Sequence, residues 1–247
     1  MTYIYDGTYE GFLSAVFCIY ADKRQKTAHL ATQETAGGLP FQDEIQVEPN
    51  EAHADRVSAR LESLHISQNV YHAWLYTDED MNNALLAYIR LAIEIKGNPD
   101  SRRYDPAVHA VHRAIRRVLK EVERFRQFTR FVKAGKNTAG TGVYVADIAP
   151  AYDILPLLIE FFTDRLNDQC FILRDTVRKY SLVWDTENWH LSSLPEINDP
   201  PLPEDEEFEA LWRTYFENIA IPWRKNLKLQ QHFIPLRYRK NMTEFQE

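Results

Sequence analysis

Apolar positions along the chain alternate between a helical and a strand-like spacing, and this pattern predicts the elements. Residues 2–5 (TYIY) read as a short strand. Asp6-Gly7 makes a turn, and Thr8 caps a helix over about Tyr9–Tyr20, whose Phe12, Leu13, Ala15, Val16 and Ile19 share one face. Residues 21–44 are polar, contain Gly37, Gly38 and Pro40, and read as a loop. Ile45–Glu48 reads as a second strand, stopped by Pro49 and placed to pair with the first as a small edge ribbon. From Asn50 the spacing is helical, with Val57, Leu61 and Leu64 inward. Further helices are expected over Ser67–Leu75 and Asp78–Lys96, the latter ended by Gly97-Asn98-Pro99. A long helix over about Pro106–Phe131 carries a stripe of Val108, Val111, Ile115, Val118, Val122 and Phe125.

Beyond it the segment 135–142 (GKNTAGTG) reads as a turn, followed by a strand over Val143–Ile148 and a helix over Pro150–Leu166. FILRD and KYSLVWD form a hairpin pattern. An acidic, proline-rich linker covers 198–207, and a last helix begins near Glu206 ahead of a basic, aromatic tail. No internal repeat is evident. The expected fold is mainly α with a small β component, of the α+β class: a helical body with short strands and hairpins. It reads as a single domain over 1–247, with a helical part over 1–100 and a basic part over 101–247 as its natural subdivision.

Composition adds bounds. The 247 residues are 45% hydrophobic and 26% charged, enough for a core without staples. The net charge of -7 argues against a protein that coats nucleic acid over its whole surface, while leaving room for a local basic face. Cys18 and Cys170 sit in apolar runs and read as buried small hydrophobes. The opening MTYIYDGTYEG lacks a basic leader pattern, and no apolar run is long enough to span a bilayer. A cytoplasmic protein without membrane partners is the expectation.

Charge patterning supplies the candidate chemistry. Residues 113–136 hold nine Lys/Arg against two Glu. Arg113, Arg116, Arg117, Lys120 and Arg124 fall on neighbouring helical positions and suit a phosphate backbone. The competing reading is a solvated helix face, neutralised by Glu121 and Glu123. In the tail, residues 210–241 hold seven Lys/Arg against one Glu, interleaved with Trp212, Tyr215, Trp223, Phe233 and Tyr238. Such a mixture holds a backbone and stacks on bases, or packs on the body through its aromatics. His109 and His112 are three apart on a helix, but no third ligand pattern accompanies them, so no metal or other cofactor is expected. Asp153, Asp164 and Asp168 surround a helix, and Asp175 sits beside Arg174 and Arg178, where a carboxylate reads as a structural ion pair. GKNTAGTG lacks the order of a phosphate loop. No catalytic site can be named.

Four stretches carry a resemblance: YDGTYEGFLSAVF, the helix end FRQFTRF, APAYDILPLLIEFFTDRLNDQCFILRD, and LWRTYFENIAIPWRKNLKLQQHFIPLRYRKNMTEF. Together they resemble a family of DNA-metabolism proteins that is a domain of unknown function. Its members are typically encoded beside a radical-SAM protein of DNA modification or repair, and are in some cases fused to a uracil-DNA glycosylase. The matching positions include Tyr5, Asp6, Gly7, Arg130, Phe131, Asp153, Arg165, Asp175, Arg178, Trp212, Arg224, Asn226, Pro235 and Tyr238. The resemblance implies a DNA-repair association and no established catalytic residue. The helix over 109–126 is more basic than the family pattern leads one to expect.

The functional expectation is a DNA-binding accessory protein that presents single-stranded or damaged DNA to a radical-SAM or glycosylase-type enzyme. Its candidate contacts are the basic helix, with Arg130, Arg165 and Arg178, and the tail residues Trp212, Arg224, Lys225, Asn226, Arg237, Tyr238, Arg239 and Lys240. The alternatives are an enzyme acting on a DNA base, and a scaffold that clamps the radical-SAM partner.

Overall fold

A computed structural model describes residues 1–24, 26–33, 43–78, 80–136, 142–193 and Tyr238. The chain divides into two compact units, Met1–Lys120 and Glu121–Glu247.

The first unit opens with β1 (Thr2–Tyr5), α1 (Tyr9–Ala21), β2 (His29–Thr32) and β3 (Glu44–Gln46). It continues with α2 (Glu51–Ser63), α3 (Ser67–Trp74), α4 (Met81–Ile95), a 3-10 turn at Pro99–Ser101 and α5 (Pro106–Phe128), within which the division falls. The turn into α1 is set by local chemistry. Asp6 accepts from the Thr8 amide at 3.0 Å, and Thr8 in turn accepts from the Gly11 amide at 3.0 Å. Gly7 takes φ +88°, and a Cβ on Gly11 would stand 2.1 Å from Asp6 Oδ1, so a side chain at either position would disturb the turn. Asn50 caps α2, accepting from His53 N, while its own amide donates to Ser14 of α1 at 2.9 Å.

The sheet of this unit differs from the expected ribbon. All three strands are parallel, in the order β2-β1-β3, with β1 in the middle. β2 lies inside the stretch that reads as a loop. Its four residues HLAT are too few and too mixed to signal a strand. A central parallel strand is covered on both faces, which is why Tyr3, Ile4 and Tyr5 are all buried. Around them the core gathers Phe12, Val16 and Ile19 of α1, Leu61 of α2, Leu85 and Ile89 of α4, and Val108 and Val111 of α5. Tyr5 reaches across to donate to Asn82 at 2.9 Å, so this buried hydroxyl is satisfied.

The second unit is built on a five-stranded sheet. Its strands are β4 (Val132–Lys136), β5 (Gly142–Ile148), β6 (Cys170–Asp175), β7 (Tyr180–Trp184) and β8 (Trp189–Ser193), in sequential order across the sheet. β5 and β6 are parallel and are joined through α6 (Leu155–Arg165); the other neighbours are antiparallel. The expected β6–β7 hairpin is present, with Asp175 paired to Tyr180. The edge strands β4 and β8 escape the sequence pattern. VKAGK has a glycine at its bulge, and WHLSS is almost wholly exposed, so neither alternates clearly.

α6 begins at Leu155 instead of Pro150, and ahead of it the Glu121 carboxylate accepts from the amides of Ala151 and Tyr152 at 3.2 and 3.0 Å. Inside the sheet, Phe131, Phe162 and Phe171 meet edge to face, the first at 5.3 Å from each of the others. Cys18 and Cys170 are free and only half-buried, a correction to the buried positions that their apolar neighbours suggest. Among the described residues no helix is long and apolar enough to cross a membrane.

Candidate nucleic-acid interface

The apolar stripe of α5 turns Val108, Val111, Ala114 and Ile115 into the first unit's core, and Val118 is buried as well. A helix that buries one face must show the other to solvent. Arg113, Arg116 and Lys120, spaced three and four residues apart, lie together on that outer face with His109, and all four are exposed. Among the described residues none of the three cations has an ion-pair partner.

The two glutamates that would neutralise this face are engaged elsewhere. Glu121 is buried and holds the backbone of Ala151 and Tyr152. Glu123 pairs with Arg126 at 2.9 Å. Between 101 and 120 the chain carries six Lys/Arg and a single acid, Asp105. Asp105 is spent on capping α5, accepting from the amides of Ala107 at 2.8 Å and Val108 at 3.4 Å.

The remaining candidates fall into different settings. Arg117 is exposed, but its guanidinium donates to the Tyr76 hydroxyl at 2.5 Å and lies 5.8 Å from that ring. Arg124 is half-buried, 5.5 Å from the ring of Tyr238. Arg130 is half-buried and donates to the carbonyls of Gln127 and Thr129. Arg165 is exposed beside Phe161. Arg178 donates to Asp175 and to the carbonyls of Pro150 and Ala151, which makes it an internal brace. Tyr238 is 4% exposed, packed edge to face on Phe125 and tilted against Phe128, so its ring offers no open face to a base. Trp212, Arg224, Lys225, Asn226, Arg237, Arg239 and Lys240 lie outside the described residues, as do the linker over 198–207, the last expected helix and the middle of GKNTAGTG.

Two carboxylates sit in hydrogen-bonded clusters, one in each unit. Asp100 accepts from Tyr88 at 2.8 Å, from Asn69 at 3.0 Å, and lies 2.9 Å from His112 Nε2. Burial alone would raise its pKa, yet the hydrogen bonds of Tyr88, His112 and Asn69, with the charge of His112, hold it below the ordinary value. Asp153 accepts from the Tyr180 hydroxyl. Burial raises its pKa, and the neighbouring Asp175 adds to this, against the opposing pull of Tyr180 and Arg178. The same surroundings push the Tyr180 hydroxyl well above its usual range. Asp164 and Asp168 are exposed. His112 is engaged with Asp100 and His109 is exposed, and among the described residues no group of three or more His, Cys, Asp or Glu could hold a metal ion.

The sequence reading also passes over Arg102, Arg103 and Tyr104, all exposed just ahead of α5. The signal available was the RRY triplet itself, which is short and sits outside the helical periodicity.

Fold and surface together define an α+β protein of two units with an unneutralised cationic helix face. The chain belongs to the DUF4130 family of domains of unknown function, whose family model matches residues 79–244. The matched span starts just before α4, and leaves β1 to α3 outside it. We found no match among curated proteins, and none among solved structures.

Proposed function

We propose that this protein binds DNA through the exposed face of α5 and presents it to a partner enzyme of the radical-SAM or glycosylase type. The observation that carries the reading is the set Arg113, Arg116 and Lys120, exposed on one helix face while Glu121 and Glu123 are engaged elsewhere. Charges left without partners on a folded surface attract a polyanion by releasing its counterions. In a chain of net charge -7 such a face acts locally, through the field near the bound ligand. The resemblance to DNA-metabolism proteins supports DNA as the polyanion and a repair-type enzyme as the recipient.

The test is binding of the full chain to defined oligonucleotides across a salt series. Three to six phosphate contacts give a log–log slope of roughly -2 to -5 in monovalent salt. Absence of binding to both single-stranded and duplex DNA at low salt would overturn the proposal.

A further inference from the structure

Tyr104 is the most exposed large hydrophobic side chain among the described residues, at 102% of its reference area. A single exposed aromatic is common and by itself carries no message. Its setting here is specific. Tyr104 follows Arg102 and Arg103, both exposed, and stands at the N-terminal end of the helix that bears Arg113, Arg116 and Lys120. The segment that displays it is anchored at both ends. On one side Asp100 is tied to Tyr88, Asn69 and His112, which belong to α4, α3 and α5. On the other, Asp105 caps α5 and its amide donates to the Arg102 carbonyl at 2.9 Å. The Arg102 amide in turn donates to the Pro99 carbonyl at 2.8 Å. The backbone that carries the ring is therefore a braced turn, and little backbone ordering remains to oppose its use in binding.

We infer that Tyr104 is a stacking platform for an unpaired base, and that the ligand of this surface is single-stranded DNA whose backbone follows Arg102, Arg103 and the α5 face. This rests on the DNA-binding reading above and narrows it. An aromatic ring in a field of arginines and lysines matches a polymer that repeats a phosphate and a flat base. In a duplex the bases are stacked on one another and their faces are closed to the ring, whereas a single strand leaves them open. The phosphate contacts are shared by both forms, so only the stacking distinguishes them.

Fluorescence anisotropy of the full chain with a labelled single strand, its duplex and an abasic strand of equal length tests this. The wild type is expected to bind the intact single strand most tightly. Tyr104→Ala should weaken that complex by about 5-fold to 150-fold, the range measured for loss of one base–aromatic stack. The duplex and abasic complexes should not change. Tyr104→Trp should keep the preference for the intact strand, which a merely structural role for Tyr104 would not predict. Equal binding of all three ligands, or a Tyr104→Ala protein indistinguishable from the wild type on the single strand, overturns the stacking inference and leaves the DNA reading standing. Failure of the wild type to bind any of the three overturns the DNA reading itself.

Discussion

Arg113 and Arg116 of α5 in the first unit and Arg174 and Arg178 of the second unit are the same residue type put to opposite uses. Arg113 and Arg116 stand in solvent, with no ion-pair partner among the described residues. Arg174 forks onto Asp147 with contacts of 2.5 and 2.8 Å, and Arg178 spans a fully buried carboxylate and two carbonyls. The guanidinium fork satisfies several fixed acceptors at once, which suits it to bracing an irregular stretch such as Pro150–Ile154. On a helix face with no acceptors the same group keeps its hydration and its charge, and the field is available to a ligand. What separates the two uses is the surroundings: the second unit supplies acceptors, and the outer face of α5 does not.

If that contrast is right, the heaviest loss of stability comes from the braced set. Arg178→Ala would leave Asp175, which is 0% exposed, with the amides of Val177 and Arg178 as its partners among the described residues, and would remove the guanidinium that donates to the carbonyls of Pro150 and Ala151. Removing one partner of a buried pair costs about 3–5 kcal/mol. Equilibrium urea unfolding should show this as a lower midpoint at unchanged slope. A loss below about 1 kcal/mol, the range for exposed pairs, would break the comparison.

The mirror-image experiment leaves stability alone. Reversing Arg113, Arg116 and Lys120 together to glutamate should shift unfolding by no more than about 0.5 kcal/mol per site, because no partner is stranded. The same triple variant should lose roughly a hundredfold in DNA affinity near physiological salt, with a salt slope shallower by about 3, the share of three phosphate contacts. Unchanged affinity would remove these three side chains from the interface while leaving the unfolding contrast with Arg178 intact.

How far the sequence reveals this contrast depends on range. The helices α2 to α5 and the β6–β7 hairpin are set by local periodicity and caps, and the sequence predicts them to within a few residues. The exposed placement of Arg113, Arg116 and Lys120 follows from the same periodicity, since Val111, Ile115 and Val118 must face inward. The use of Glu121 does not. Its partners Ala151 and Tyr152 lie some thirty residues away, and on sequence alone a helical neighbour such as Arg117 or Arg124 looks equally available. Arg178 reads as a candidate contact for the same reason: nothing in the local DTVRK announces that the carbonyls of Pro150 and Ala151 converge on it. Strands β2, β4 and β8 depend on pairing across the chain, which short mixed segments do not encode visibly.

The finest probe of the comparison uses the two clustered carboxylates, because their protonation runs in opposite directions. Asp100 has a folded-state pKa below its unfolded value of about 3.9. The native state then holds its proton more weakly than the unfolded chain, so the stability that Asp100 contributes is complete above about pH 4 and fades as the pH falls through the folded-state pKa. Asp153 has a folded-state pKa above its unfolded value. Its native state holds the proton more tightly, so its contribution is complete below about pH 4 and fades as the pH rises toward the folded-state pKa. The stability difference between wild type and Asp100→Asn should therefore shrink on acidification below pH 4. The difference between wild type and Asp153→Asn should move against the wild type as the pH rises from about 4. Chemical unfolding at a series of pH values measures both curves. Slopes of the same sign would mean that one cluster is misassigned. Opposite slopes would bear out Asp100 as a carboxylate whose charged form is favoured by its donors, and Asp153 as a carboxyl whose neutral form is favoured by burial.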